Sequence, residues 1–289
     1  MVAVIGRLGL TMRIRKKIAR LLAKIGKSSV TWGMDFPDFA SALAVCNAGY
    51  ESRDIADVVV AKTRRLVDNQ PVELPPPGIL LAAASLAGRG SSLRIVDIGG
   101  AAGAHYVAVR RIIPRSIHLD WIVVETSAMV AAATRLDHGG EVSFSTELTA
   151  ALRAWSNPPD LVLASGVLMC LPDPLATLEQ ICDSRAGALV FARTGLSPDA
   201  KTRIIIQESR LKDNGPGPLP AGFTDRVVRY PNTFIPQEEF ERQLGRNHEI
   251  RFAAVETSKA WTAGDTAIPQ FAYVAHTREA HGAAKSSVV

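Results

Sequence analysis

LRIVDIGGAAG, residues Leu93 to Gly103, decides how the whole chain reads. An apolar run of strand length carries one acid, Asp97, near its end, and five residues no larger than alanine follow. A run this short and apolar is the pattern of a strand buried in a sheet. When such a strand opens into a glycine-rich turn and then a helix, the main chain can approach a ligand closely, because glycine removes the side chains that would stand in the way. Gly99, Gly100 and Gly103 supply that clearance, while Ala101 and Ala102 keep the turn small.

The texture on either side agrees. From Leu93 onward, short β-rich runs alternate with helical patterns, the signature of βαβ units stacked on a parallel sheet. Strands are predicted at LRIVDI, LDWIVVE, EVSFS, DLVLAS and GALVFAR. Helices are predicted at AHYVAVRRII and at PLATLEQICD, the second opened by Asp173 as cap with Pro174 at its first position. A polar, proline-rich segment, 194–234, precedes a helix PQEEFERQL and two further runs, EIRFAAVE and QFAYVAHT. The loop joining those two runs is too short for a parallel crossover, so they should pair antiparallel. The fold class is therefore α/β: a doubly wound sheet of seven strands, the last one antiparallel.

Residues 1–90 read differently, as a helical and loop-rich extension. MRIRKKIARLLAKIGK, 12–27, sets Ile14, Ile18, Leu21, Leu22 and Ile25 at spacings of three and four opposite a basic face, which predicts an amphipathic helix. SRDIADVVVAKTRRLVDN predicts a second helix with Ser52 as its N-cap, and QPVELPPPG a proline-rich connector. The expected organisation is an extension or lid over 1–90, a main domain over 91–278 with an insertion on the substrate side at 194–234, and a disordered tail over 279–289.

A chain of 289 residues with 47% hydrophobic and 21% charged residues can bury a large core. Its formal charge of +5 is local: Arg7, Arg13, Arg15, Lys16, Lys17, Arg20, Lys24 and Lys27 have no acid among them, and removing those eight leaves −3 for the remainder. The body thus lacks the basic bias of a nucleic-acid binder. Cys46, Cys170 and Cys182 show neither metal-ligand spacing nor a disulfide framework, so no metal is expected and a reducing cytoplasm fits. No apolar run approaches the roughly 18 residues of a membrane span.

Glu125, at the end of the next strand in WIVVET, stands about where a carboxylate accepts bonds from ribose hydroxyls, which points to a nucleoside. With that acid in place, VDIGGAAG resembles the acid-x-G-x-G-x-G motif of class I S-adenosylmethionine-dependent methyltransferases. DLVLASGVLMCLPDP resembles their fourth strand and the loop after it, and the closing antiparallel pair resembles their reversed last strand. The similarity covers Leu93 to His276, with Ala101 where the motif's middle glycine usually stands. GGAAGAHY, GYESRDIADVVVAK and RYPNTF together resemble a narrower group of bacterial methyltransferases of unassigned substrate.

The resemblance implies a Rossmann-like fold and S-adenosyl-L-methionine as cofactor. The cofactor would be held by Asp97, Gly99, Gly100, Ala101, Gly103 and Glu125, with Ser165 and Gly166 lining the cleft. His105, just after the turn, is the candidate general base, although a histidine in a first helical turn more often faces solvent. Tyr106, Arg193, Arg229 and Tyr230 are candidates for holding an anionic or sugar acceptor, against a reading as core or surface residues. Trp32 and Tyr50 are candidates for a lid. The prolines of NPPD, 157–160, precede the fourth strand instead of ending it, which argues against methylation of base nitrogens and for an oxygen nucleophile on a small or glycan- or lipid-linked acceptor. The basic stripe of 12–27 would either pack on the domain or lie on the anionic inner membrane face. A nicotinamide-dependent oxidoreductase would use the same turn, but no Tyr-x-x-x-Lys pair is present. A scaffold that kept the fold and lost turnover is the third possibility.

Overall fold

The computed structural model describes residues 29–32, 35–46, 49–68 and 90–278. The basic stretch 12–27, the connector 70–78 and the tail 279–289 lie outside the described residues, and so do the expectations attached to them. Main-chain strand β1 spans Ser29–Trp32, and the first half of the main domain carries β2 (Ser92–Ile98), β3 (His118–Val124), β4 (Val142–Ser145), β5 (Leu161–Ser165) and β6 (Ala188–Gly195). These are followed by β7 (Arg203–Arg210), β8 (Val227–Phe234), β9 (His248–Ala263) and β10 (Thr266–Thr277).

Seven strands form one sheet in the order β4-β3-β2-β5-β6-β10-β9. β2 pairs parallel with β3 and β5, and β5 with β6, whereas β10 pairs antiparallel with both β6 and β9. A two-residue hairpin of Gly264 and Asp265 joins β9 to β10, with Gly264 at φ +61°, as so tight a connection favours. The expected seven strands and reversed last strand are both present.

Strand alternation sorts the core into two layers. Val96, Ile98, Val162, Ala164, Leu189 and Phe191 face one side, against Leu178, Ile181, Phe240 and Leu244 of the helices Pro174–Asp183 and Gln237–Leu244. Ile95, Trp121, Leu163 and Val190 face the other, against Tyr106, Val107 and Val109 of helix Ala104–Arg110 and Leu66 of helix Arg53–Val67. Continuous apolar runs are what a sheet covered on both faces requires.

Two expectations need correction. The segment 194–234, read as a polar, proline-rich insertion with no strand assigned, contains β7 and β8, which form with β1 a second, antiparallel sheet in the order β1-β7-β8. Pro231 concealed β8, since proline argues against a central strand; here β8 is an edge strand, where the missing N–H costs nothing. The N-terminal region, read as helix and loop, supplies the other edge, β1, paired with β7 through Ser29 to Trp32.

Asp160 of NPPD has a structural task at the opposite end of the sheet from the glycine turn. Its carboxylate accepts from Arg94 N at 2.8 Å, Nε at 3.0 Å and Nη2 at 2.8 Å, fastening the start of β5 to β2. Burial works to raise this carboxyl, but the Arg94 hydrogen bonds and charge outweigh it and hold it below the usual range. A depressed carboxyl stabilises the fold above its unfolded-state pKa and loses that contribution as pH falls through the folded value. Asp160→Asn should therefore destabilise by about 1–2 kcal/mol at pH 7, and denaturant titrations should show the deficit shrinking as the pH falls below the unfolded-state carboxyl value and through the lower folded one.

Candidate functional site

In the large sheet the chain winds outward through β2, β3 and β4, then returns to lay β5 on the other side of β2. The crevice above the carboxyl ends of two such strands, at the point where the winding reverses, is where open α/β sheets bind ligands. The last β2–β5 pair is Ile98 with Ala164, so Gly99 to Gly103 and Ser165 to Val167 border that crevice.

Asp97 is fully buried at the end of β2, and both its carboxylate oxygens lie 3.1 Å from Nδ1 of His105. A carboxylate only accepts, so Nδ1 carries the hydrogen; in the neutral ring the lone pair then sits on Nε2. His105 is 8% exposed, so the solvent-facing alternative for this residue fails. Gly100 is bare for a local reason: a Cβ there would stand 2.2 Å from Asp97 Oδ2. Gly99, at φ +67°, would meet Val167 at 2.5 Å, and Gly103, at φ +84°, would meet the His138 ring at 3.1 Å. The small residues thus make room for Asp97, Val167 and His138 as well as for anything outside. Ala101, at φ +54°, occupies the left-handed region that glycine would take without strain.

Glu125, half-buried at the end of β3, ties the turn down: Oε1 accepts from Ala101 N at 3.0 Å and Oε2 from Thr126 N at 2.9 Å. Burial raises its carboxyl, and the charges of Asp97 and Glu51 add to the rise against the two amides. A carboxylate offers about four lone-pair sites, so each oxygen keeps one for a ligand.

Ser165, buried at the end of β5, accepts from Arg193 Nε through Oγ at 3.1 Å and from Nη2 through its carbonyl at 3.3 Å. The Arg193 guanidinium lies 3.6 Å from where a Gly166 Cβ would stand. Arg193 is solvent-exposed as a residue, and desolvation lowers its pKa against the raising charges of Glu256 and Asp97.

The second sheet and the 3₁₀ turn Gly49–Glu51 supply the other wall. Tyr50 stacks on Tyr230 with ring centroids 4.3 Å apart, and the Cys170 thiol bonds Tyr50 Oη at 2.8 Å. Gln207 Oε1 accepts from Asn232 Nδ2 at 2.6 Å and from Trp261 Nε1 at 2.8 Å. Burial pushes the Cys170 thiol and the Tyr230 phenol up to about 12, so this wall is uncharged at ordinary pH. Glu51 Oε2 accepts from Ala128 N at 3.2 Å, which seats the turn over the end of β3.

Two of the expected acceptor contacts are not at the site. Tyr106 is buried against Trp121, and its hydroxyl donates to Glu141 Oε2 at 2.7 Å, with the His138 carbonyl 3.1 Å away, making it a strut between elements. Arg229 alternates with Tyr230 along β8 and so faces the opposite side, where Nη2 pairs with Glu208 at 2.7 Å. For Trp32 only the main chain is described. His138 and Glu256 went unnoticed in the sequence, since each lies in a run that carries no motif, whereas Val167 and Cys170 lie in the quoted loop DLVLASGVLMCLPDP without having been singled out as site residues; an acid inside the apolar stretch FAAVETS was the one available sign of Glu256.

No family model matches the chain, and no curated protein matches it. Solved structures do. The CcbJ methyltransferase from Streptomyces caelestis matches at 13% identity over 81% of this chain and 100% of that one, with a TM-score of 0.48. The N-terminal domain of EvdMO1 with S-adenosylhomocysteine bound matches at 17% identity over 71% and 83%, TM-score 0.44. The [4+2]-cyclase SpnF matches at 15% identity over 79% and 96%, also 0.44. Likenesses of this grade assign no activity, and the functional reading rests on the chain's own residues.

Tyr106→Phe removes the Glu141 bond while leaving the crevice untouched. It should lower stability by about 1 kcal/mol in thermal unfolding and leave ligand affinity unchanged; a loss of affinity at full stability would return Tyr106 to the site.

Proposed function

We propose that this chain is an S-adenosylmethionine-dependent methyltransferase that methylates an oxygen of a small or glycan- or lipid-linked acceptor. The observation that carries the reading is the pairing of Asp97 with His105 beneath a left-handed glycine turn, with Glu125 across from it on the neighbouring strand. The residues present fit the cofactor: Glu125 keeps one lone-pair site on each oxygen for two vicinal ribose hydroxyls, and the acids near the turn suit a cation.

The bound cofactor would supply an electrophilic methyl group on sulfur. The protein has then to place a nucleophile in line with it and to remove a proton if that nucleophile is a hydroxyl. Asp97 holds the His105 ring in the tautomer whose Nε2 accepts, and stabilises the imidazolium that forms when Nε2 takes the acceptor's hydroxyl proton, as in other carboxylate–histidine pairs. The uncharged wall of Tyr50, Tyr230, Asn232 and Gln207 favours a neutral polar acceptor surface, and the Tyr50 and Tyr230 rings are compatible with a sulfonium nearby. Docking of the chain on an anionic membrane through 12–27 belongs to this proposal only as a route to lipid-linked acceptors.

Calorimetry with S-adenosylhomocysteine and with NAD tests the cofactor: the first should bind and the second should not, and the reverse result ends the proposal. Once an acceptor is in hand, His105→Ala should lower kcat by about 10²–10⁴ with S-adenosylhomocysteine affinity within a few-fold of wild type. Asp97→Asn should lower kcat as well, because the wrong tautomer would then be favoured.

A further inference from the structure

Two β-bulges meet on either side of β10. On one side Phe271 pairs with Thr194 and Tyr273 with Phe191, so Arg193 and Ala192 of β6 stand against Ala272 alone. On the other side Gln270 pairs with Thr257 and Phe271 with Val255, leaving Glu256 of β9 as the extra residue. Bulges re-aim side chains and cluster beside functional sites. Here they bring one acid to one amide: the Glu256 carboxylate crosses β10 and accepts from Arg193 N at 2.5 Å. Arg193 itself is held at φ +50°, a left-handed conformation that a long side chain adopts only where its surroundings enforce it.

The outcome is a guanidinium fixed at the mouth of the crevice. Nε and Nη2 are spent on Ser165, and Gly166 has no side chain to cover the remaining edge. Among the described residues no protein acceptor takes the Nη1 hydrogens, and the residue is open to solvent. The neighbouring acids have hydrogen-bond donors of their own, Glu256 the Arg193 amide and Asp97 His105, and act on the guanidinium through their charge without hydrogen-bonding to it. A planar, permanently charged fork with free donors is matched by an oxyanion.

We propose that Glu256 and Arg193 form an oxyanion-binding subsite for the acceptor, Glu256 positioning Arg193 and Arg193 receiving a carboxylate or phosphate carried near the hydroxyl to be methylated. This deepens the methyltransferase reading and rests on it for the word acceptor; the anion site itself does not. The acceptor would then combine a neutral polyhydroxyl portion on the Tyr230–Gln207 wall with an anionic group at the end of β6.

Inorganic phosphate is the probe, titrated into free protein and into protein saturated with S-adenosylhomocysteine, with phosphorus line broadening as readout. Saturable binding is expected in both states of the wild type, at least tenfold weaker in Arg193→Gln, and unchanged in Arg229→Gln. Glu256→Ala should weaken it similarly, while Glu256→Gln, which keeps an oxygen for the Arg193 amide, should restore it. Equal binding to wild type and Arg193→Gln, or no saturable binding to wild type, overturns the subsite. Binding that disappears when S-adenosylhomocysteine is present overturns its assignment to the acceptor, since the cofactor's own carboxylate would then hold Arg193. Failure of S-adenosylhomocysteine to bind at all counts against the methyltransferase reading alone, because the titration of free protein still reports on Arg193.

Discussion

A buried carboxylate at the reversal of the sheet's winding governs the rest of this molecule. Asp97 is fully enclosed at the end of β2, and an unpaired charge in such a place costs several kcal/mol, so it must be matched. The match is His105, reached only because the chain turns sharply within eight residues and starts a helix on the same face of the sheet. That turn in turn requires the residues it has. Gly100 leaves room for the carboxylate, Gly99 and Gly103 adopt left-handed angles, and Ala101 accepts the same angle with strain that Glu125 helps to hold through its amide. Asp97 thus dictates Gly100 from inside, and Val167 and the His138 ring do the same for Gly99 and Gly103, before any ligand is considered.

The two sheets divide the chemistry of the crevice between them. The floor, at the ends of β2, β3, β5 and β6, carries ionisable groups: Asp97, His105, Glu125 and Arg193. The wall, from the 3₁₀ turns at Gly49–Glu51 and Leu168–Cys170 and the strands β7 and β8, carries phenols, amides and a thiol; burial keeps the phenols and the thiol protonated. Such a division gathers the charges on the floor and leaves the wall without a net field. Arg193 is the exception on the floor, a cation among acids, and its fixed posture depends on bulges in strands that look regular when read as text.

Much of the fold was legible. The strands of the parallel half, the helix Pro174–Asp183 with its Asp173 cap at 3.0 Å from Ala176 N, and the antiparallel closing hairpin follow from periodicity and loop length, which are local properties. The second sheet was not legible, because Pro231 contradicts a strand unless the strand is known to be an edge, and edge position is settled only by what pairs on the other side. At the site, the turn and Glu125 stood out, since glycines and strand-end acids announce themselves by spacing. Tyr106 and Arg229 were misplaced for one shared reason: adjacency in sequence to His105 or Tyr230 says nothing about which face of a helix or strand a side chain takes.

The amino-acid sequence by itself determined the doubly wound sheet, the position of the bare turn and the identity of the acids beside it, because hydrophobic period and backbone sterics act over a few residues. Only the tertiary structure decided that Asp97 serves His105, that Tyr50 meets Tyr230 and that Glu256 reaches Arg193. Those contacts join residues brought together by strand order and bulge register, which are fixed by the packing of the whole sheet and leave no periodic trace in the chain.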